Sequence, residues 1–239
     1  MSTALHAAPI RRRKLYEDVV ARIEAMIHAG DYKPGDQLPS EREIMDRYGV
    51  GRTSVREALF ALQKMGLVLI NSGERARVRL PTAENIVGEL SGAARHLLAQ
   101  AGGVANFQQA RALFETGLAR FAARHATASQ VAALEAALRA NQAAIGHAER
   151  FARTDVAFHY VLAQIPDNPI FTALHAAIAE WLMEQRLIST RARGSPRAAY
   201  RAHKRIFEAI AARDADAAEV AMAEHLQEVA KFYWQVQGR

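Results

Sequence analysis

The chain has 239 residues, half of them apolar, a formal net charge of +6 and no cysteine. That length suits one large domain or two small ones. No apolar run is long enough to span a bilayer, and disulfides and thiolate metal sites are excluded. The charge is uneven: residues 1–80 hold 14 Lys and Arg against 10 Asp and Glu, and residues 81–239 hold 17 against 15. A nucleic-acid face is therefore expected in the N-terminal third. Residues 1–9 lack the apolar stretch of a signal peptide, so a cytoplasmic location is expected.

Residues 1–10 read as a disordered tail, followed by the basic cluster Arg11, Arg12, Arg13 and Lys14. From Leu15 the apolar positions Val19, Ile23 and Ile27 recur at helical spacing, and Gly30 suits the left-handed position after a helix end. Pro34-Gly35-Asp36 marks a turn. Ser40 and Glu43 form a capping box, in which each side chain reaches the other residue's backbone N–H. A short helix then runs to about Tyr48, Gly49-Val50-Gly51 breaks it, and a second helix starts near Arg52 with Val55, Ala58, Leu59 and Leu62 on one face. Two short helices joined by a glycine-containing turn form a helix-turn-helix. The β-like run 67–70, the turn Asn71-Ser72-Gly73-Glu74 and the alternating run 75–79 read as a hairpin, in the position of a wing.

The second helix presents Arg52, Thr53, Ser54 and Arg56 on its first turn and a half, the part of a recognition helix that reaches base edges. Arginine can pair bidentately with guanine, and Thr and Ser can bond bases or phosphates. Gly73 at the wing tip permits close approach to a minor groove, with Arg75 beside it. A solvated basic surface is the alternative for these residues.

Beyond Pro81 the pattern predicts helices over about 83–101, 104–125, 128–146, 149–165, 169–192, 197–212 and 215–236, with no convincing strand. The fold class is mainly α: a winged helix-turn-helix of three helices and a hairpin over 11–80, a linker helix over 81–103, and an all-α antiparallel bundle over 104–239. In that bundle Asp155 and His159 stand at i and i+4 and share a helix face. His203 and His225 lie eleven residues to either side of Asp214, where the last two helices turn, so they reach the same height in the hairpin. Three imidazoles and a carboxylate suit a divalent ion, Zn²⁺ first, with Ni²⁺ or Mn²⁺ possible. Polar pairs at i and i+4 are common, however, and the spacing also fits ordinary packing. His6, His28, His96, His125, His147 and His175 read as surface or packing residues.

The run Pro34-Gly35-Asp36-Gln37-Leu38-Pro39-Ser40-Glu41-Arg42-Glu43, with Arg52-Thr53-Ser54-Val55-Arg56-Glu57-Ala58-Leu59, resembles the GntR family of bacterial regulators. The helical half resembles that family's FadR-type (FCD) ligand-binding domain. The resemblance implies Arg42, Arg52 and Arg56 as the main DNA contacts and Asp155, His159, His203 and His225 as metal ligands. It places Arg111 at the effector-contacting position, able to fork onto a carboxylate, with Glu115 one turn later orienting it. A bare salt bridge between Arg111 and Glu115 on the surface is the alternative. Gly51 departs from the hydroxyl residue common at the recognition-helix N-cap. Residues 71–78 with Gly88-Glu89-Leu90-Ser91-Gly92, Asp155 to His159 and Asn168 to Phe171 are most similar to regulators of sialic-acid breakdown. Sialic acid is thus the implied effector, with galactonate or gluconate behind it.

The expected function is a homodimeric DNA-binding regulator, a repressor in the first instance, with operator DNA and a small sugar acid as partners and no enzymatic role. Higher assembly on DNA is possible, with Arg11 to Lys14 contributing. A metal-dependent hydrolase with an accessory DNA-binding domain is the alternative, weakened because no further general base and no HExxH-type motif stand near the four ligands. A constitutive architectural DNA binder with a structural metal is a third reading.

Overall fold

A computed structural model describes residues 14–238. The expected tail 1–10 and Arg11 to Arg13 of the basic cluster lie outside the described residues. The chain divides into two units, one ending at Ile86 and the other starting at Val87.

In the first unit α1 (Leu15–Ala29) buries Val19, Ile23 and Ile27, one residue per turn. It ends at Gly30, whose φ of 83° lets the Asp31 N–H return to the Met26 carbonyl at 3.0 Å, a Schellman closure. Helix α2 (Glu41–Tyr48) opens on the expected capping box: the Ser40 N–H donates to Glu43 Oε2 at 2.7 Å, and the Glu43 N–H donates to Ser40 Oγ at 3.3 Å. Helix α3 (Arg52–Lys64) starts at Gly51 with no side-chain cap and turns Val55, Ala58, Leu59 and Leu62 inward. Strands β1 (Val68–Leu69) and β2 (Arg77–Val78) pair antiparallel, Val68 opposite Val78 and Leu69 opposite Arg77. Residues 35–38 run along the free edge of β2: the Gly35 N–H donates to the Val78 carbonyl at 2.7 Å and the Leu38 N–H to the Ala76 carbonyl at 2.8 Å. The turn before α2 thus holds the wing and drives Leu38 into the core, where it is fully buried.

Helix α4 (Ala83–Gly88) spans the division, and α5 (Ser91–Leu98) follows it. The single helix expected over 83–101 is therefore two, separated at Glu89 and Leu90. Gly88 and Gly92 flank the break, and glycine costs about 1 kcal/mol against alanine inside a helix.

The second unit continues as α6 (Gly103–His125), α7 (Ala128–Ala143), α8 (Ala148–Gln164), α9 (Pro169–Trp181), α10 (Met183–Thr190), α11 (Ser195–Ala211) and α12 (Ala215–Val236). The helix expected over 169–192 is interrupted at Leu182 (φ −101°, ψ 13°), while the Leu182 and Arg186 N–H groups still bond Ile178 and Leu182 carbonyls. The backbone is re-aimed there with little loss of hydrogen bonding. Helix α12 packs along both α6 and α11, across alanine-rich stripes that include Ala119, Ala122, Ala202, Ala218 and Ala221. Small side chains let helix axes approach closely.

These stripes are apolar at one end and polar further along. On α6 the buried positions Arg111, Glu115, Leu118, Ala119 and Ala122 fall at i, i+4, i+7, i+8 and i+11. On α8 Asp155 and His159 share the face of Phe151, Phe158 and Leu162. His203 lies among Ala199, Ala202 and Ile206 on α11, and His225 beside Met222 and Leu226 on α12. Asp214 caps α12, its Oδ1 accepting from the Ala217 N–H at 2.9 Å, and fixes the turn that brings the two histidines level.

The capping box sets a stability test. Ser40→Ala is expected to lower the unfolding free energy of the N-terminal unit by about 1 kcal/mol, read from denaturant melts. An unchanged midpoint would contradict the role given to the cap.

Candidate metal centre and DNA interface

The Nε2 atoms of His159, His203 and His225 lie 3.2 Å from one another in all three pairs. Asp155 Oδ1 is 3.4 Å from His203 Nε2, and the four ligand atoms fall within 4.8 Å of each other. All four side chains are buried.

Neighbouring hydrogen bonds decide which nitrogens carry protons. The Thr154 hydroxyl donates to the backbone carbonyls of Arg150 and Phe151 at 3.1 and 3.0 Å, so its oxygen accepts from Asn141 Nδ2 at 3.1 Å. Asn141 Oδ1 is thereby turned to His203 Nδ1, 3.0 Å away, and that nitrogen must carry the hydrogen. Glu115 Oε2 lies against His159 Nδ1 and takes its hydrogen in the same way. With both rings neutral, the form in which imidazole ligates, the Nε2 atoms of His159 and His203 are bare lone pairs facing each other. Facing lone pairs repel, and a cation between them makes the same geometry attractive. Donor atoms 2.0–2.1 Å from a tetrahedral zinc stand about 3.3 Å apart, close to the spacing found. The residues fit a divalent ion on their own hydrogen bonding.

Protonation states agree. Burial pushes His203 down to about 3, with Asp155 opposing. Burial, with His203 and His159 adding to it, holds His225 well below the usual imidazole range. Neutral imidazole is the ligating form. Burial alone would raise both carboxyls, but the cations outweigh it. Arg186 leads in holding Asp155 far below the usual carboxylate range, and Arg111 leads in doing so for Glu115. Arg186 Nε donates to Asp155 Oδ2 at 2.7 Å, and Arg111 Nε donates to Glu115 Oε1 at 2.7 Å. The surface salt bridge considered for Arg111 and Glu115 is corrected to a buried ion pair, with exposures of 7% and 2%.

These pairings leave donors over. Arg111 Nη2 and Arg186 Nη1 are buried without a partner, as is the acceptor Gln185 Oε1. All three side chains line one cavity of about 20 Å³, lined elsewhere by residues that include Leu182, Leu226 and Tyr233. That is room for about one water.

In the first unit Arg52, Thr53 and Arg56 are exposed on the opening turns of α3, with Ser54 half-buried beside them; Arg42 is exposed on α2, and Gly73 and Arg75 on the wing. Gly73 has φ of 79° at the tip, a conformation that glycine adopts without strain. Arg56 Nε is 3.1 Å from Glu41 Oε1, Arg75 Nη1 is 3.8 Å from Glu43 Oε2 and Arg42 Nε is 3.9 Å from Asp46 Oδ2. These exposed pairs are worth little and can be exchanged for phosphate or base contacts. Among the described residues Arg52 has no such partner.

Residues 15–78 match the gntR family of bacterial regulatory proteins, and residues 107–228 match the FCD domain. The chain is 46% identical to the "HTH-type transcriptional repressor NanR" of Enterobacter sp. (strain 638), over 95% of this chain and 88% of that protein. It is also 46% identical to the NanR of Escherichia coli K12, over 94% of this chain and 86% of that protein. The chain belongs to the GntR family. Among solved structures, Streptococcus agalactiae GntR shares its fold with a TM-score of 0.62 at 24% identity, over 90% of this chain and 99% of that one. The E. coli protein McbR/YncC does so with a TM-score of 0.53 at 17% identity, over 95% and 100%. The chain is thus a DNA-binding transcriptional regulator with an FCD effector domain, and the hydrolase alternative falls away. No described helix is long and apolar enough to cross a membrane.

Four residues of this GntR-family site escaped the sequence reading. Asn141 extends the buried stripe Leu134, Leu138 of α7 by one turn, and Arg186 follows buried Leu182 by one turn. A polar residue continuing an apolar stripe was the available signal. Gln185 is marked only by its place beside Arg186. His175, expected as surface or packing, is 1% exposed, and both its ring nitrogens lack partners.

Burial lowers His175 to about 4, with Glu115 opposing, against an ordinary 6.5. Between those values the unfolded chain binds more protons than the folded one, so stability falls as pH drops below 6.5. The loss approaches about 1.4 kcal/mol per pH unit for each such histidine. In metal-stripped protein the melting temperature is expected to fall between pH 7 and 5, and less steeply in His175→Gln. Equal slopes in the two proteins would contradict the assignment.

Proposed function

We propose that this chain represses transcription as a homodimer on operator DNA and that a small sugar acid, sialic acid first, controls its DNA affinity by binding beside a divalent metal. Asp155, His159, His203 and His225 hold the metal, zinc first among the candidates. The observation that carries this reading is the buried charge set. Arg111, Arg186, Asp155 and Glu115 sum to zero, so a divalent ion at the histidines leaves the interior at +2. Two guanidinium N–H groups beside it lack acceptors. An anion with oxygen acceptors answers both deficits. A sugar acid has few apolar atoms to bury, so charge-assisted contacts must supply its recognition. The similarity to relatives named as repressors supports repression, and a cytoplasmic location follows from the DNA partner.

The reading heads are Arg52, Thr53, Ser54 and Arg56 on α3, with Arg42, Gly73 and Arg75 flanking. A dimer presents two recognition helices to two half-sites. The ligand regulates only if it binds one domain arrangement better than another; a shift from 99:1 to 1:99 takes about 5.5 kcal/mol of differential affinity. The lever is α5. The Trp181 indole N–H donates to Ser91 Oγ on α5 at 3.2 Å, and the Trp181 ring meets Phe107 edge-on at 5.6 Å. Phe107 lies one turn before Arg111, so a change at the effector cavity is felt where α5 is held.

Arg52→Ala and Arg56→Ala are each expected to weaken specific DNA binding by about 1–3 kcal/mol. Arg75→Ala should weaken binding evenly across sequences and reduce its salt dependence. If all three changes only alter the salt dependence in binding titrations, the assignment of base readers fails.

Arg111→Ala is expected to keep its metal and its DNA affinity yet lose the response to sialic acid. Metal analysis, calorimetry and gel-shift titration read the three properties. A variant that responds as the wild type does would place the effector elsewhere.

A further inference from the structure

The cavity beside the metal ligands carries an unpaired acceptor as well as unpaired donors. Arg111 Nη2 and Arg186 Nη1 call for an anion's oxygens, but Gln185 Oε1 calls for a hydrogen. A bare carboxylate offers none and would leave that amide oxygen buried and unmet, which is costly. Water could serve it in the empty protein, since the cavity of about 20 Å³ accommodates one. An entering carboxylate displaces that water.

We infer that Gln185 is a specificity-determining residue that selects acids bearing a hydroxyl on the carbon next to the carboxyl group. This rests on the effector reading above and narrows it to 2-hydroxy acids, including the hemiketal form of 2-keto sugar acids. The position of the hydroxyl follows from the placement of the three side chains. Gln185, Arg186 and Arg111 line one cavity of about 20 Å³, so groups that meet all three stand close together. A donor that meets Gln185 while the carboxylate meets the two guanidinium groups must sit within a bond or two of the carboxyl carbon. The class excludes 2-deoxy and 2,3-unsaturated acids that keep the carboxylate and lack the hydroxyl. Such acids satisfy both arginines and still strand the amide oxygen. A site built to hydrogen-bond a hydroxyl rejects the analogue lacking it far more strongly than an apolar pocket distinguishes a methylene.

The test compares N-acetylneuraminic acid with its 2-deoxy-2,3-dehydro analogue, which keeps the carboxylate and lacks the 2-hydroxyl. Both are titrated calorimetrically into the full-length, zinc-loaded chain. The wild type is expected to favour the hydroxy acid at least tenfold, and Gln185→Leu and the unbranched Gln185→Met to reduce the preference to threefold or less. Zinc content and DNA binding of both variants report that they are folded. The variants also separate the amide from the metal, because a preference arising from the hydroxyl on the metal alone would survive in both. A wild-type preference below tenfold, or one that stays above threefold in either variant, overturns the inference. If both acids still need zinc and Arg111 in that case, the effector reading stands and only the role of Gln185 is lost. If neither acid binds the zinc-loaded wild type, the effector reading fails for sialic acid and the inference falls with it.

Discussion

Three imidazoles share one buried space in the helical bundle, and at least two of them turn lone pairs toward each other. The surrounding hydrogen bonds enforce this. Thr154 orients Asn141, Asn141 takes the Nδ1 hydrogen of His203, and Glu115 takes that of His159. Desolvating the two carboxylates and two guanidinium groups nearby costs several kcal/mol per ion before pairing offsets it. A core built only for stability would fill such a space with apolar side chains. The polar stripe is better understood as a preorganised cation site, in which outer hydrogen bonds fix the rings of His159 and His203 before an ion arrives.

The same charges would serve both proposed ligands. Each carboxylate divides its oxygens: Asp155 turns Oδ1 to His203 and Oδ2 to Arg186, while Glu115 turns Oε2 to His159 and Oε1 to Arg111. The groups facing the proposed metal and those facing the proposed effector are thus two ends of continuous ion pairs, and a change at one alters the field at the other. Helix α10 carries Arg186 and Gln185 directly after the break at Leu182, and α9 ends on Trp181, which holds Ser91. Site chemistry and the mounting of α5 therefore meet within a few residues. In the winged unit the arrangement is looser. Arg42, Arg56 and Arg75 rest on acidic neighbours at the surface, and these pairs yield to DNA at little cost.

Much of the winged unit was legible in the sequence because its determinants are local. Ser40 and Glu43 name a helix start, Gly30 an end, and Gly73 a turn tip, each within a few residues of its effect. Helical spacing put Asp155 and His159 on one face and equal distance from Asp214 put His203 and His225 at one height, but only the family resemblance singled the four out as ligands. Asn141, His175, Gln185 and Arg186 were not legible, because their roles depend on which helix each one faces across the bundle. The break at Leu182 was also hidden, since it is an apolar residue within an apolar pattern, whereas Gly88 and Gly92 did mark the one at Glu89 and Leu90. Nothing in the chemistry of Leu182 itself marks the redirected backbone.

The central claim is that a divalent ion resolves the opposed lone pairs. X-ray absorption at the metal edge, on full-length protein purified without added metal and quantified by elemental analysis, tests it most directly. One ion per chain is expected, with nitrogen and oxygen neighbours at about 2.0–2.2 Å and the outer scattering of three imidazoles. Protein that folds and binds DNA with little metal even after incubation with zinc, or a bound ion without imidazole scattering, would contradict the claim.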